Sequence, residues 1–191
     1  SGESVRVEAR SSAERLSTAH LSKMEPVSWT AQSDGREVEI FGNFYAPTNP
    51  AFESDGKPPA LVMVHGGPTS QRTARFEGGN QFFASRGFAV LDVNYRGSTG
   101  YGREYRDALL GQWGRYDVED AVSAARFLAE QGHADPERIV IMGGSAGGYT
   151  VLQTMCSQPG VFAAGISKYG ISNLFSLSMD THKFEQHYND L

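Results

Sequence analysis

A chain of 191 residues, 39% hydrophobic and 20% charged, suits one domain with a real core and is too apolar to be disordered. Its 17 Lys and Arg against 22 Asp and Glu give a net charge of −5 with no basic stripe, which argues against a nucleic-acid partner. Cys156 is the only cysteine, so an intrachain disulfide is excluded; its position predicts packing on the inner face of a helix.

Residues 1–25 are polar and aperiodic and read as a linker or the tail of a preceding domain. They contain no apolar run of signal-peptide length, and the run Ala60 to Val64 is too short to cross a bilayer. A cytoplasmic location without a membrane partner is the expectation. Val27 to Gln32 and Glu37 to Tyr45 flank Ser33-Asp34-Gly35-Arg36, a strong hairpin signal. Alternation at Val38 and Ile40 changes phase at Phe41-Gly42, which predicts a bulge. A polar loop follows from Pro47 to Pro59.

From Ala60 the pattern becomes strand-then-helix. Ala60 to Val64 and Phe88 to Val93 are short apolar runs, as in parallel strands buried on both faces. A helix around Asn80 to Arg86 separates them and ends at Gly87. Asp117 is the expected N-cap of a helix carrying Val118, Ala121, Val122, Ala125, Leu128 and Ala129, closed by Gly132. Asp135-Pro136 turns the chain into the strand Ile139 to Met142, and Phe162 to Ile166 is the last strand. Such alternation implies an α/β domain with a mostly parallel sheet and an N-terminal hairpin.

Gly143-Gly144-Ser145-Ala146-Gly147 fits G-x-S-x-G between a strand and a helix. That is the nucleophile elbow of the α/β-hydrolase fold, in which a strained turn exposes the serine. Gly143 and Gly147 must be small, because a side chain two residues from the serine would collide with neighbouring backbone. His65-Gly66-Gly67-Pro68 follows the first parallel strand, where this fold draws one oxyanion donor. The expected donors are the backbone N–H groups of Gly67 and Ala146, with Ser145 as nucleophile. His65 reads as a brace for the loop, with Gly66 as further support; it precedes Ser145, whereas this fold takes its acid and base from beyond the serine.

His65 to Gln71, Asn94-Tyr-Arg-Gly-Ser-Thr-Gly-Tyr-Gly102 and Gly143 to Tyr149 together resemble the prolyl oligopeptidase family of serine peptidases, in its acylaminoacyl-peptidase and dipeptidyl-peptidase-like branch. Asp180 to Glu185, before Tyr188, adds to the likeness, which covers Pro26 to Leu191. The resemblance implies a catalytic α/β-hydrolase domain at 26–191 and, before it, a β-propeller whose tail would be 1–25. It implies a peptide or acyl-peptide substrate and makes Asn94 to Gly102 a structural loop near the active-site face. That stretch lacks both G-x-G-x-x-G and a P-loop lysine, so it is a poor phosphate loop.

The triad is incomplete. In this fold the acid and then the base lie on loops after later strands, and only Asp180, Asp190, His182 and His187 follow Ser145 as Asp or His. His182 and His187 lack the i, i+4 spacing of a zinc helix, so no metal or cofactor is assigned. The true acid and base are expected beyond Leu191, with the domain truncated at its C-terminal side and the chain alone inactive. An unpaired apolar edge at the last strand then predicts poor solubility, or dependence on the rest of the parent or a second copy. Two alternatives remain: an esterase of the same fold, and a non-catalytic α/β-hydrolase-like binding module.

Overall fold

The computed structural model describes residues 17–173. The hairpin forms as β1 (Met24–Ser33) and β2 (Arg36–Tyr45). Asp34 and Gly35 turn it with φ of 51° and 72°, the left-handed pair whose twist matches that of the flanking strands. Arg115 and the Tyr116 hydroxyl donate to the Asp34 carboxylate and tie the turn to the body of the domain.

The expected bulge is absent. Pairing runs without interruption from Ser33↔Arg36 to Met24↔Tyr45. The phase change has another cause: from Phe41 onward β2 also pairs with β4 (Ala89–Asn94), and both its faces become covered. Gly42 is needed at that junction, since a Cβ there would lie 2.8 Å from the Asp92 carbonyl oxygen.

The sheet continues with β3 (Ala60–Val64), β5 (Ile139–Gly144) and β6 (Ala164–Lys168), in the order β1-β2-β4-β3-β5-β6. Pairing is parallel from β4 through β3 and β5 to β6, while β2 joins β4 antiparallel. This is the partial α/β-hydrolase sheet. β3 and β4 are buried along their whole length, which is why their sequences are unbroken apolar runs rather than alternations.

Among the described residues four α-helices accompany the sheet: α1 (Gly78–Ala84), the short α2 (Arg103–Asp107), α3 (Tyr116–Glu130) and α4 (Ala146–Ser157). Val62, Val64, Leu91, Val93 and Ile141 share a core with Ala121, Ala125, Leu128 and Val151 of α3 and α4. Leu61, Met63, Val90 and Met142, on the opposite face, pack with Ala84 of α1. Gly87 and Gly132 follow α1 and α3 with φ of 88° and 74°.

Three local expectations shift. Asp117 is not the N-cap; that position is Arg115, two residues earlier, and the fully buried Asp117 carboxylate accepts from the Gly114 N–H and from Thr150 Oγ1 of α4. Cys156 is exposed, because Ala146, Thr150, Val151 and Thr154 form the buried face of α4. The last strand begins at Ala164 rather than Phe162, and Phe162 packs into the core ahead of it. Among the described residues β6 is outermost, and its side chains are exposed or half-exposed. No described helix is long and apolar enough to cross a membrane.

Candidate active site

Ser145 joins β5 to α4 with φ 55° and ψ −124°, a conformation that L side chains rarely adopt and that neighbouring contacts must hold in place. The glycines flanking it explain how the turn fits. A Cβ on Gly143 would lie 2.4 Å from the Gly147 carbonyl oxygen and 3.0 Å from that of Val64. A Cβ on Gly147 would lie 2.4 Å from the Val64 oxygen and 2.7 Å from the His65 oxygen. The elbow is therefore wedged against the end of β3. From the other side, the Ser145 N–H donates to the Lys168 carbonyl at the end of β6, at 3.1 Å.

The His65 to Pro68 loop lies over this turn. A Cβ on Gly66 would be 3.0 Å from the Gly144 oxygen, 3.3 Å from Ser145 Cβ and 3.8 Å from the Ala146 nitrogen. Gly67 has φ 136° and precedes Pro68 through a cis peptide bond. Ala146 is the first residue of α4, whose opening N–H groups have no carbonyl partner within the helix. Among the described residues, neither the Gly67 nor the Ala146 N–H donates to a backbone carbonyl. The serine thus stands beside a helix N-terminus, where negative charge is favoured, with the Gly66-Gly67 loop against it.

His65 is buried, and both its ring nitrogens are engaged. Nδ1 is 2.8 Å from the Gly66 carbonyl oxygen, and Nε2 is 2.8 Å from Ser98 Oγ. Burial, reinforced by the charge of Arg72 and opposed by the bond to Gly66, holds its pKa down at about 4. The ring is neutral near pH 7. A carbonyl can only accept, so Nδ1 carries the proton and Nε2 accepts from the Ser98 hydroxyl.

The loop after β4 is bonded to the loop after β3 at several points. The Tyr95 hydroxyl donates to the Pro68 oxygen at 2.8 Å and lies 3.2 Å from the His65 oxygen, while its ring stacks on His65 at 4.4 Å. The Thr99 N–H donates to the Ser70 carbonyl. The Asn94 side chain accepts from the Arg72 N–H at 2.7 Å and donates to its carbonyl at 3.1 Å. Beneath them the Asp92 carboxylate, wholly buried, accepts from Asn80 Nδ2 at 2.6 Å and faces Arg72 Nε at 3.6 Å, beyond hydrogen-bond reach. Burial, above all, raises the Asp92 pKa to about 6. Sequence reading marked Asn94 to Gly102 as structural but singled out none of its residues, because their partners stand some 20 to 30 positions away.

Ser145, Gly143, Gly147, Gly66, Gly67, Ala146 and His65 come together in one place. Asp180, His182, His187 and Asp190 lie outside the described residues. No group of three or more His, Cys, Asp or Glu that could hold a metal occurs among the described residues.

The model of the prolyl oligopeptidase family matches residues 74–191. The chain belongs to that family. It is 39% identical to dipeptidyl aminopeptidase BIII of Pseudoxanthomonas mexicana over 132 residues, 69% of this chain and 19% of that enzyme. Among solved structures it resembles a puromycin-hydrolysing peptidase of Mycobacterium tuberculosis at 44% identity and a TM-score of 0.83, over 93% of this chain and 27% of the other. The acylaminoacyl peptidase of Pyrococcus horikoshii superposes with a TM-score of 0.70 at 34% identity, over 83% of this chain and 25% of its own. The chain thus spans only a minor part of these relatives.

Proposed function

We propose that this chain carries the nucleophile half of a serine peptidase acting on peptide or acyl-peptide bonds. The observation that carries the proposal is Ser145 at φ 55° on the β5–α4 turn, with the Gly66-Gly67 loop against it. In the proposed reaction Ser145 Oγ bonds to the substrate carbonyl carbon as a base takes its proton. The carbonyl oxygen becomes an oxyanion facing the N–H groups of Gly67 and Ala146. When the tetrahedral species collapses, the C–N bond breaks, the amine leaves with the proton, and an acyl-enzyme remains for water to hydrolyse.

His65 is a poor candidate for the base. Its pKa is about 4, and its one acceptor nitrogen is taken by Ser98. We place the acid and base on later loops of the longer parent, following the order of this fold. Without a base about 10⁶ in rate is lost, roughly 8 kcal/mol of barrier, so the 191-residue chain alone is inactive. The test is a fluorophosphonate probe read by intact mass. The parent should be labelled stoichiometrically at Ser145, Ser145→Ala should abolish labelling and turnover, and the chain alone should stay unlabelled. Rapid labelling of the bare chain overturns its inactivity; an unlabelled but folded parent overturns the role of Ser145.

A further inference from the structure

The proposed oxyanion donor Gly67 is held by no side chain of its own, so something else must fix its direction. The peptide unit that carries the Gly67 N–H also carries the Gly66 carbonyl, and in a planar trans unit these two groups point opposite ways. Whatever fixes the Gly66 oxygen therefore aims the Gly67 N–H. His65 Nδ1 does so at 2.8 Å. A neutral imidazole can do this only as the Nδ1–H tautomer, which the acceptor-only carbonyl selects, and only while the bond on the other nitrogen holds the ring in line. That bond comes from Ser98, which is completely buried, with its hydroxyl 2.8 Å from Nε2.

We propose that Ser98 is a positioning residue that acts through His65 to aim the Gly67 N–H at the developing oxyanion. The proposal rests on the serine-peptidase function above. Ser98 itself is held by its N–H to the Tyr95 carbonyl at 2.9 Å, and Tyr95 reaches back to Pro68, on the far side of Gly67. The Gly66-Gly67 unit is thereby braced at both ends from the loop after β4. Loss of the Ser98 hydroxyl leaves the buried Nε2 without its donor, and the ring turns off the Gly66 carbonyl to find another. With the ring displaced, the Gly66 oxygen loses its donor, and the peptide unit that carries the Gly67 N–H rotates away.

The experiment uses the full-length parent and a peptide substrate, with kcat expressed per active site titrated by fluorophosphonate. Ser98→Ala should lower kcat about tenfold with KM changed less than twofold, and weaken a peptide-aldehyde inhibitor by the same factor. A tenfold loss corresponds to a displacement smaller than the ~1 Å that costs about 100-fold. His65→Leu should fall about 100-fold, and His65→Asn, whose Nδ2 can still donate to the Gly66 oxygen, should recover most of that loss. If His65→Leu does not fold, Ser98→Ala and His65→Asn carry the test. A Ser98→Ala kcat within twofold of the parent overturns the proposal, as does a loss confined to KM or to the number of titratable sites. Ser145→Ala separates the two ideas: residual turnover there refutes the serine-peptidase function, whereas an inactive Ser145→Ala beside a normal Ser98→Ala refutes the positioning role alone.

Discussion

Gly147→Ala tests the elbow with a single methyl group. The new Cβ would lie 2.4 Å from the Val64 carbonyl oxygen, where ordinary contact begins at 3.4 Å, so the elbow and the end of β3 must part by about 1 Å. Both obstructing groups, the Val64 and His65 carbonyls, are backbone, and no rotamer change can relieve the clash. Overpacking of this kind costs about 1–3 kcal/mol, and each kcal/mol lowers the midpoint of a domain this size by about 2–4 °C. The catalytic cost should be larger, because the displaced backbone carries Gly66 and Gly67. Misplacing an oxyanion donor by ~1 Å costs about 100-fold in rate. Thermal unfolding and kcat per titrated site in the parent measure the two effects. Gly79→Ala is the control, since it lies in α1 with nothing within 4 Å of a new Cβ, and it should be neutral or slightly stabilising. A Gly147→Ala protein with unchanged midpoint and unchanged kcat would refute the steric account of this turn.

Arg96→Met should destabilise by about 3–5 kcal/mol, read by denaturant unfolding, because Arg96 pairs with the wholly buried Asp120 at 2.7 Å and also reaches Glu119 and Ser33. A loss below about 1 kcal/mol would show that Asp120 finds compensation elsewhere. Asp92 predicts a pH effect: burial raises its pKa from 3.8 to about 6, so its contribution is fully present below pH 3.8 and lost as pH rises through 6. Asp92→Asn removes that titration, so the stability of the variant relative to the parent should rise by about 2 kcal/mol between pH 4 and pH 6. A difference that is flat across the window would mean Asp92 ionises normally.

Much of the site was legible because its parts are neighbours in sequence. The Asp34-Gly35 turn, the apolar strands and the G-x-S-x-G elbow each occupy a few consecutive residues, and the constraint on Gly143 and Gly147 follows from the turn itself. The readings that shifted depend on residues brought in from a distance. The phase change at Phe41-Gly42 reflects β4 arriving beside β2, not an extra residue in the strand. Asp117 looks like a cap until Thr150 of α4 is seen bonded to it. Cys156 fits an apolar face by composition, and only the packing of α4 turns it outward.

The sequence alone determined the fold class, the family resemblance, and which serine and which glycines form the elbow, because steric demands at a sharp turn act between adjacent residues. Tertiary structure alone decided how the Gly66-Gly67 loop is held. Ser98 and His65 are 33 residues apart, and their contact exists only because β3 and β4 lie side by side in parallel, bringing the loops at their C-terminal ends together.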